Sequence, residues 1–138
     1  METLKLDLDI KDFNKVADIV SKRCGAVFMI LNQTLPAGTV PIKLIGAGVF
    51  STRKGYHIYL EVEGDYTSFD VCFLQMALGS DYKRECYNFA RFRNNLSKDW
   101  NILFEKKFNE KGEVVSCEQA EKELSDILMI RINERMRC

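Results

Sequence analysis

The chain has 138 residues, 20 Lys+Arg against 20 Asp+Glu for a formal net charge of +0, and is 46% hydrophobic, 29% charged and 11% aromatic. That length and composition predict one compact, soluble α+β domain over residues 1–138, burying about two-thirds of its unfolded surface, and exclude disordered, collagenous and coiled-coil chains. A balanced charge also argues against a surface that binds polyanions as a whole, since such binding comes from neutralising several phosphates at once.

Leu4, Leu6 and Leu8 alternate with Lys5, Asp7 and Asp9, which predicts a half-buried opening strand. The period then changes. Ile10, Phe13, Val16, Ala17, Val20 and Cys24 fall on one face of an amphipathic helix, with Lys22 and Arg23 in its last turn and Gly25 just past it as a stop. The apolar run 26–31 is read as a central strand, and Pro36 and Pro41 bracket a connection over 35–40. Segments 42–51 and 56–63 form a hairpin across Thr52, Arg53, Lys54 and Gly55, whose glycine is expected to supply a positive φ. Gly46 and Gly48 suggest a bulge or a close backbone approach; the third glycine of a dinucleotide fingerprint is absent, Ser51 standing in its place. Phe69, Val71 and Phe73 alternate as a third strand, with a helix over 69–78 as the other reading.

Ser80 is placed to cap a helix from 81 to about 96, with Cys86, Phe89, Phe92 and Leu96 as its buried stripe. Trp100, Ile102, Phe104 and Phe108 return to period two, and Asn109 to Gly112 turn the chain into a short strand at Val114 and Val115. Ser116 and Gln119 match a capping box that opens a last helix to Arg137, with Ala120, Leu124, Ile127 and Leu128 facing inward. The fold class is therefore α+β: an antiparallel or mixed sheet of about five strands, built round a central hairpin or meander, packed against three helices with a long one at the C-terminus.

No apolar run approaches the roughly 20 residues that span a bilayer, and the N-terminus carries no apolar h-region, which predicts a cytoplasmic protein. The cysteines, Cys24, Cys72, Cys86, Cys117 and Cys138, are odd in number and widely spaced, so buried reduced thiols are expected rather than a disulfide framework. No close ligand pair announces zinc, so no metal or cofactor is expected; a site gathered from distant cysteines and His57, the only histidine, is left to the tertiary structure.

Three functional readings emerge. The first is a stand-alone protein-interaction module of the inhibitor, immunity or anti-defence kind, with another protein, or a second copy of the chain, as partner. Its candidate contacts are the basic and aromatic side of the 81–96 helix (Lys83, Arg84, Tyr87, Arg91, Arg93) and the apolar and basic surplus of the last helix (Met129, Ile132, Arg135, Met136). The second is a small-molecule binder or enzyme with a pocket where His57, Tyr59 and Glu61 share a strand face and meet Asp70 across the third strand, a His-carboxylate pair suited to acid-base work. No nucleophile motif accompanies that pair, so no catalytic residue is assigned and a non-enzyme is favoured. The third is nucleic-acid binding along the same basic helix, Lys83 to Arg93, with Asn95 at its end.

Overall fold

The computed structural model describes residues 1–34, 43–94, 100–101, 106–108, 111 and 114–136. It is α+β. Strand β1 (Glu2–Leu8), helix α1 (Phe13–Thr34), strands β2 (Leu44–Ser51) and β3 (Tyr56–Val62), and helices α2 (Ser68–Ala77) and α3 (Tyr82–Arg93) are followed by β4 (Lys106–Phe108), β5 (Val114–Cys117), β6 (Gln119–Ala120) and α4 (Lys122–Met136). The main sheet is antiparallel, in the order β1-β3-β2-β6, and β4 and β5 pair separately. Helix count exceeds the expectation because α2 takes the helical reading of the 69–78 segment.

Alternation in β1 and β3 sends Leu4, Leu6, Leu8, Ile58, Leu60 and Val62 to one face, where they are buried with Val49 of β2. Against this face α1 lays Val16, Ala17, Val20, Cys24 and Phe28, and α4 adds Leu128 and Ile132. The 26–31 run is not a strand. It continues α1, because the four-residue spacing of Val16, Val20, Cys24 and Phe28 carries the buried stripe straight through it. Gly25 is therefore no helix stop. A Cβ there would lie 3.0 Å from the Arg135 Cβ and 3.3 Å from the Arg135 carbonyl oxygen, so the glycine lets α4 cross close to α1.

The β2–β3 hairpin forms as expected, and the register shift between Leu44 and Gly46 is the anticipated bulge. Gly55 serves a close backbone approach and not a positive φ. The positive-φ glycines among the described residues are Gly64 and Gly79, whereas a Cβ on Gly55 would stand 2.0 Å from the Leu8 carbonyl oxygen. Close passage of the β1 end, not a left-handed turn, demands glycine here.

Other elements bond to backbone groups along β1 and along the part of β2 beyond its short pairing with β6. On β1 the outward N–H groups of Lys5 and Asp7 donate to Gln75 Oε1 (2.9 Å) and Ser80 Oγ (3.0 Å), and the Asp81 N–H donates to the Asp7 carbonyl (2.7 Å). On β2 the Val49 N–H donates to Ser125 Oγ (2.7 Å) and its carbonyl accepts from the Glu121 N–H (2.9 Å). Such capping occupies part of the edge that would otherwise template aggregation.

Several terminal assignments are corrected. The last helix begins at Lys122, because Gln119 and Ala120 pair with Ser51 and Phe50 of β2 instead of opening a helical turn. Ala120 and Ile127 are exposed, while Leu124 packs against the core. Asp81 rather than Ser80 caps α3, accepting from the Lys83 N–H. The inward residues of α3 are Glu85 and Asn88, with Cys86 exposed and Phe89 and Phe92 half-buried. The readings at 35–40, Asn95, Leu96, Ile102, Phe104, Asn109, Gly112, Arg137 and Cys138 lie outside the described residues.

Candidate functional site

The polar face of the sheet carries a compact charge cluster. Asp7 of β1 stands opposite His57 of β3, and Phe50 of β2 flanks it on the other side. His57 is only 5% exposed. Its Nδ1 lies 2.8 Å from Glu118 Oε2 and its Nε2 3.6 Å from Asp7 Oδ1. The Tyr59 hydroxyl donates to the same Glu118 oxygen (2.9 Å), and Arg84 Nε sits 3.9 Å from Asp7 Oδ2. Phe50 packs edge-on to Tyr59 at 5.1 Å, walling the cluster toward β2. The two carboxylates of Asp7 and Glu118 thus face the imidazole and the Arg84 guanidinium. Burial raises the Asp7 carboxyl above its ordinary value, an effect that His57 opposes.

A second network lies under the α2–α3 corner, where Glu85 is almost wholly enclosed. Its Oε1 accepts from Gln75 Nε2 (2.6 Å) and Asn88 Nδ2 (3.2 Å), and its Oε2 from the Ser80 hydroxyl (2.8 Å). Asn101 exchanges hydrogen bonds with Gln75 in both directions (2.7 and 3.0 Å), and Arg91 donates to Asn88 Oδ1 (2.9 Å). Ser80 joins the two clusters, since it accepts from the Asp7 backbone and donates to Glu85. Burial raises the Glu85 carboxyl, and the three side-chain donors only partly offset this.

The third feature is apolar. Helix α2 buries Val71 and Leu74 on its inner side, with Leu78 just past its end, yet also presents Phe69 (49% exposed), Phe73 (51%) and Met76 outward. Phe73 meets Phe69 at 4.5 Å, Phe69 meets Phe89 of α3 at 5.8 Å, Phe89 meets Phe92 at 4.9 Å and Phe92 meets Trp100 at 5.3 Å. Arg93 lies over the Phe89 ring at 5.6 Å, and Tyr82 and Tyr87 are exposed on α3. The result is an aromatic stripe across two helices with a basic end.

The sequence-predicted residues are divided by this geometry. His57 and Tyr59 do meet, at Glu118. Glu61 is exposed and stands across from Gly46, and Asp70 is on α2, where it closes a capping box with Thr67 (3.0 and 3.1 Å). The expected His57–Asp70 pair therefore does not form: Asp70 belongs to a helix and not to a neighbouring strand. Lys83, Tyr87 and Arg93 are exposed, but Arg84 turns inward to Asp7 and Arg91 to Asn88, so the basic row is broken. Ile132 is fully buried in the core and Met136 packs against it; Met129 is half-buried, and Arg135 is an exposed partner of Asp18 (3.8 Å). Most of the apolar surplus of α4 is thus used within the fold, leaving Ile127 and Ile130 outside.

Glu118, Asp7 and Glu85 were not singled out from sequence. Glu118 lies 61 positions from His57, and no local pattern links the two. Asp7 and Glu118 approach opposite nitrogens of one ring, so they do not converge on a shared ion; among the described residues no group of three or more His, Cys, Asp or Glu is arranged to hold a metal. Cys24 and Cys72 are buried, with thiols pushed up to about 12 by desolvation, and Cys86 is exposed. No described helix is long and apolar enough to cross a membrane. No family model, curated protein or solved structure matches the chain.

Proposed function

We propose that the protein acts by binding another protein through the outer face of α2 and α3, as an inhibitor, immunity or anti-defence module does by covering a partner's surface. One observation carries this reading: α2 is apolar on both sides, and its outward Phe69, Phe73 and Met76 continue into the Phe89, Phe92 and Trp100 stripe. A helix with apolar side chains on both sides is normally covered on both, and here the exposed rings of Phe69 and Phe73 run into the half-buried rings of Phe89, Phe92 and Trp100, a composition that marks an interaction surface. Aromatic residues beside arginine are also the composition of binding hot spots.

The two other readings have less support. His57 is enclosed and both its nitrogens face carboxylates, which leaves it poorly placed to exchange protons with a substrate. A phosphate-tracking helix needs its cations free, whereas Arg84 and Arg91 are turned toward partners inside the fold.

The test is quantitative capture from the lysate of the natural source, comparing the wild-type chain with a Phe69→Ser/Phe73→Ser double variant. Because both rings are half exposed, the variant should keep its far-ultraviolet circular dichroism while recovery of a stoichiometric partner falls about tenfold or more. Equal recovery by the two proteins rules out α2 as the contact. Phenylalanine-dependent self-association in light scattering would identify the partner as a second copy.

A further inference from the structure

Beside the Phe73 end of the stripe is a recess of about 290 Å³ lined by Leu31, Asp65, Tyr66, Asp70, Phe73 and Leu74. Leu31 comes from α1, Tyr66 from the loop before α2, and Phe73 and Leu74 from α2, so three segments fix its walls. Tyr66 is pinned by donating to the Glu63 carbonyl at 2.9 Å, and Asp70 by its capping box, so ring and rim are held in place. Among the described residues the lining includes two carboxylates and no cation. Glu2 also lies near enough to join Asp70 in raising the Tyr66 phenol, an effect led by burial.

We propose that this recess receives one bulky apolar side chain of a partner segment whose neighbouring residue is lysine or arginine. The inference rests on the protein-binding reading and deepens it by naming the partner's chemistry. Size supports it: an apolar cavity of about 150 Å³ already holds benzene, while pockets for whole small ligands run from roughly 300 to 1,000 Å³. At about 290 Å³ the recess exceeds the benzene-sized cavity and only reaches the smallest of those pockets, so it has room for one large side chain. Charge supports it as well, because Asp65 and Asp70 at the rim complement a cation placed next to the anchor and repel an anion there. Phe73 lines the recess and also begins the aromatic stripe, so an anchored segment continues onto Phe69.

The inference is tested by nuclear magnetic resonance on the full isotope-labelled chain with two capped pentapeptides, Ala-Lys-Trp-Lys-Ala and Ala-Glu-Trp-Glu-Ala, as probes. The lysine peptide should shift the amides of Leu31, Tyr66 and Phe73 in a saturable way, and the glutamate peptide should bind at least fivefold more weakly. Asp65→Lys, at an exposed position outside the capping box, should weaken the lysine peptide about fivefold and leave the chain folded. Equal binding of both peptides, shifts centred elsewhere, or indifference to Asp65→Lys overturns the anchor site. These outcomes are separable from failure of the broader reading, which is decided by partner capture with the Phe69/Phe73 variant and does not involve the peptides.

Discussion

Replacing Glu85 with alanine is expected to cost about 3 kcal/mol of folding free energy, while Glu85→Gln is expected to fold normally and to change how stability depends on pH. Alanine leaves the donors of Gln75, Ser80 and Asn88 without their acceptor in an enclosed site. The cost then spreads, since Gln75 and Ser80 also hold the outward N–H groups of Lys5 and Asp7 on the edge of β1. Glutamine keeps one oxygen for Gln75 and Asn88 and turns an N–H toward Ser80. A hydroxyl oxygen has two lone pairs, so Ser80 accepts from both that amide and Asp7 by rotating its own proton.

The pH effect has a definite sign. Glu85 titrates above its ordinary value of 4.5 in the folded protein, because burial outweighs its hydrogen bonds. The folded state therefore holds this proton more tightly than the unfolded state. The stabilising contribution is complete below the ordinary value and is lost as pH rises through the folded value. Denaturant unfolding of wild type and Glu85→Gln at several pH values should show the difference moving in favour of the glutamine variant as pH rises from about 4 toward 7. A pH-independent difference would mean that Glu85 carries no raised carboxyl in the fold.

His57→Leu is expected to cost a similar amount, about 3 kcal/mol, because it strands two largely buried carboxylates. Among the described residues Glu118 then keeps the Tyr59 hydroxyl, and Asp7 keeps the more distant Arg84. The loss should be local as well as global. Strand β6 pairs with β2 at only two positions, Phe50↔Ala120 and Ser51↔Gln119, and Glu118 is its neighbour. Hydrogen exchange should therefore accelerate at Gln119 and Ala120 more than at the β1–β3 ladder. Adding Glu118→Gln to His57→Leu should recover part of the stability, giving a double-mutant coupling of about 1 kcal/mol or more. Additive losses would show that the 2.8 Å contact contributes nothing of its own.

Much of the secondary structure was legible because burial on one face imposes a period. Leu4, Leu6 and Leu8 mark β1, the Val16 to Cys24 stripe marks α1, and the hairpin is bounded by its turn residues. A local signal misleads where two structures share it. The 26–31 run is rich in branched residues, yet the stripe already begun at Val16 continues through Phe28, and the stop signal at Gly25 serves instead to let α4 approach. Ser116 and Gln119 match a helix start, but pairing with β2 keeps Gln119 and Ala120 extended. In α2 the Thr67–Asp70 box was a readable helix signal beside the alternating Phe69, Val71 and Phe73.

The candidate surfaces divide in the same way. His57 and Tyr59 were placed on one strand face by alternation alone, but the acid that joins them comes from the other end of the chain and Asp70 is spent on a helix cap. Likewise the aromatic stripe needs α2 and α3 side by side, which no spacing within either helix encodes.

By itself, then, the sequence determined that this chain folds as an α+β structure, which strands form its hairpin and which face of α1 is buried, because each follows from periodicities of two and 3.6 residues acting over a few neighbours. Only the tertiary structure decided that Glu85 and Asn88 face inward, that Arg84 and Arg91 leave the basic row, that α4 uses Ile132 in the core and that Phe69 and Phe73 remain outside. Those outcomes depend on which groups from distant segments arrive to desolvate, pair with or cover a side chain. Burial and electrostatic compensation are properties of the assembled surroundings, and they are fixed only when the elements pack.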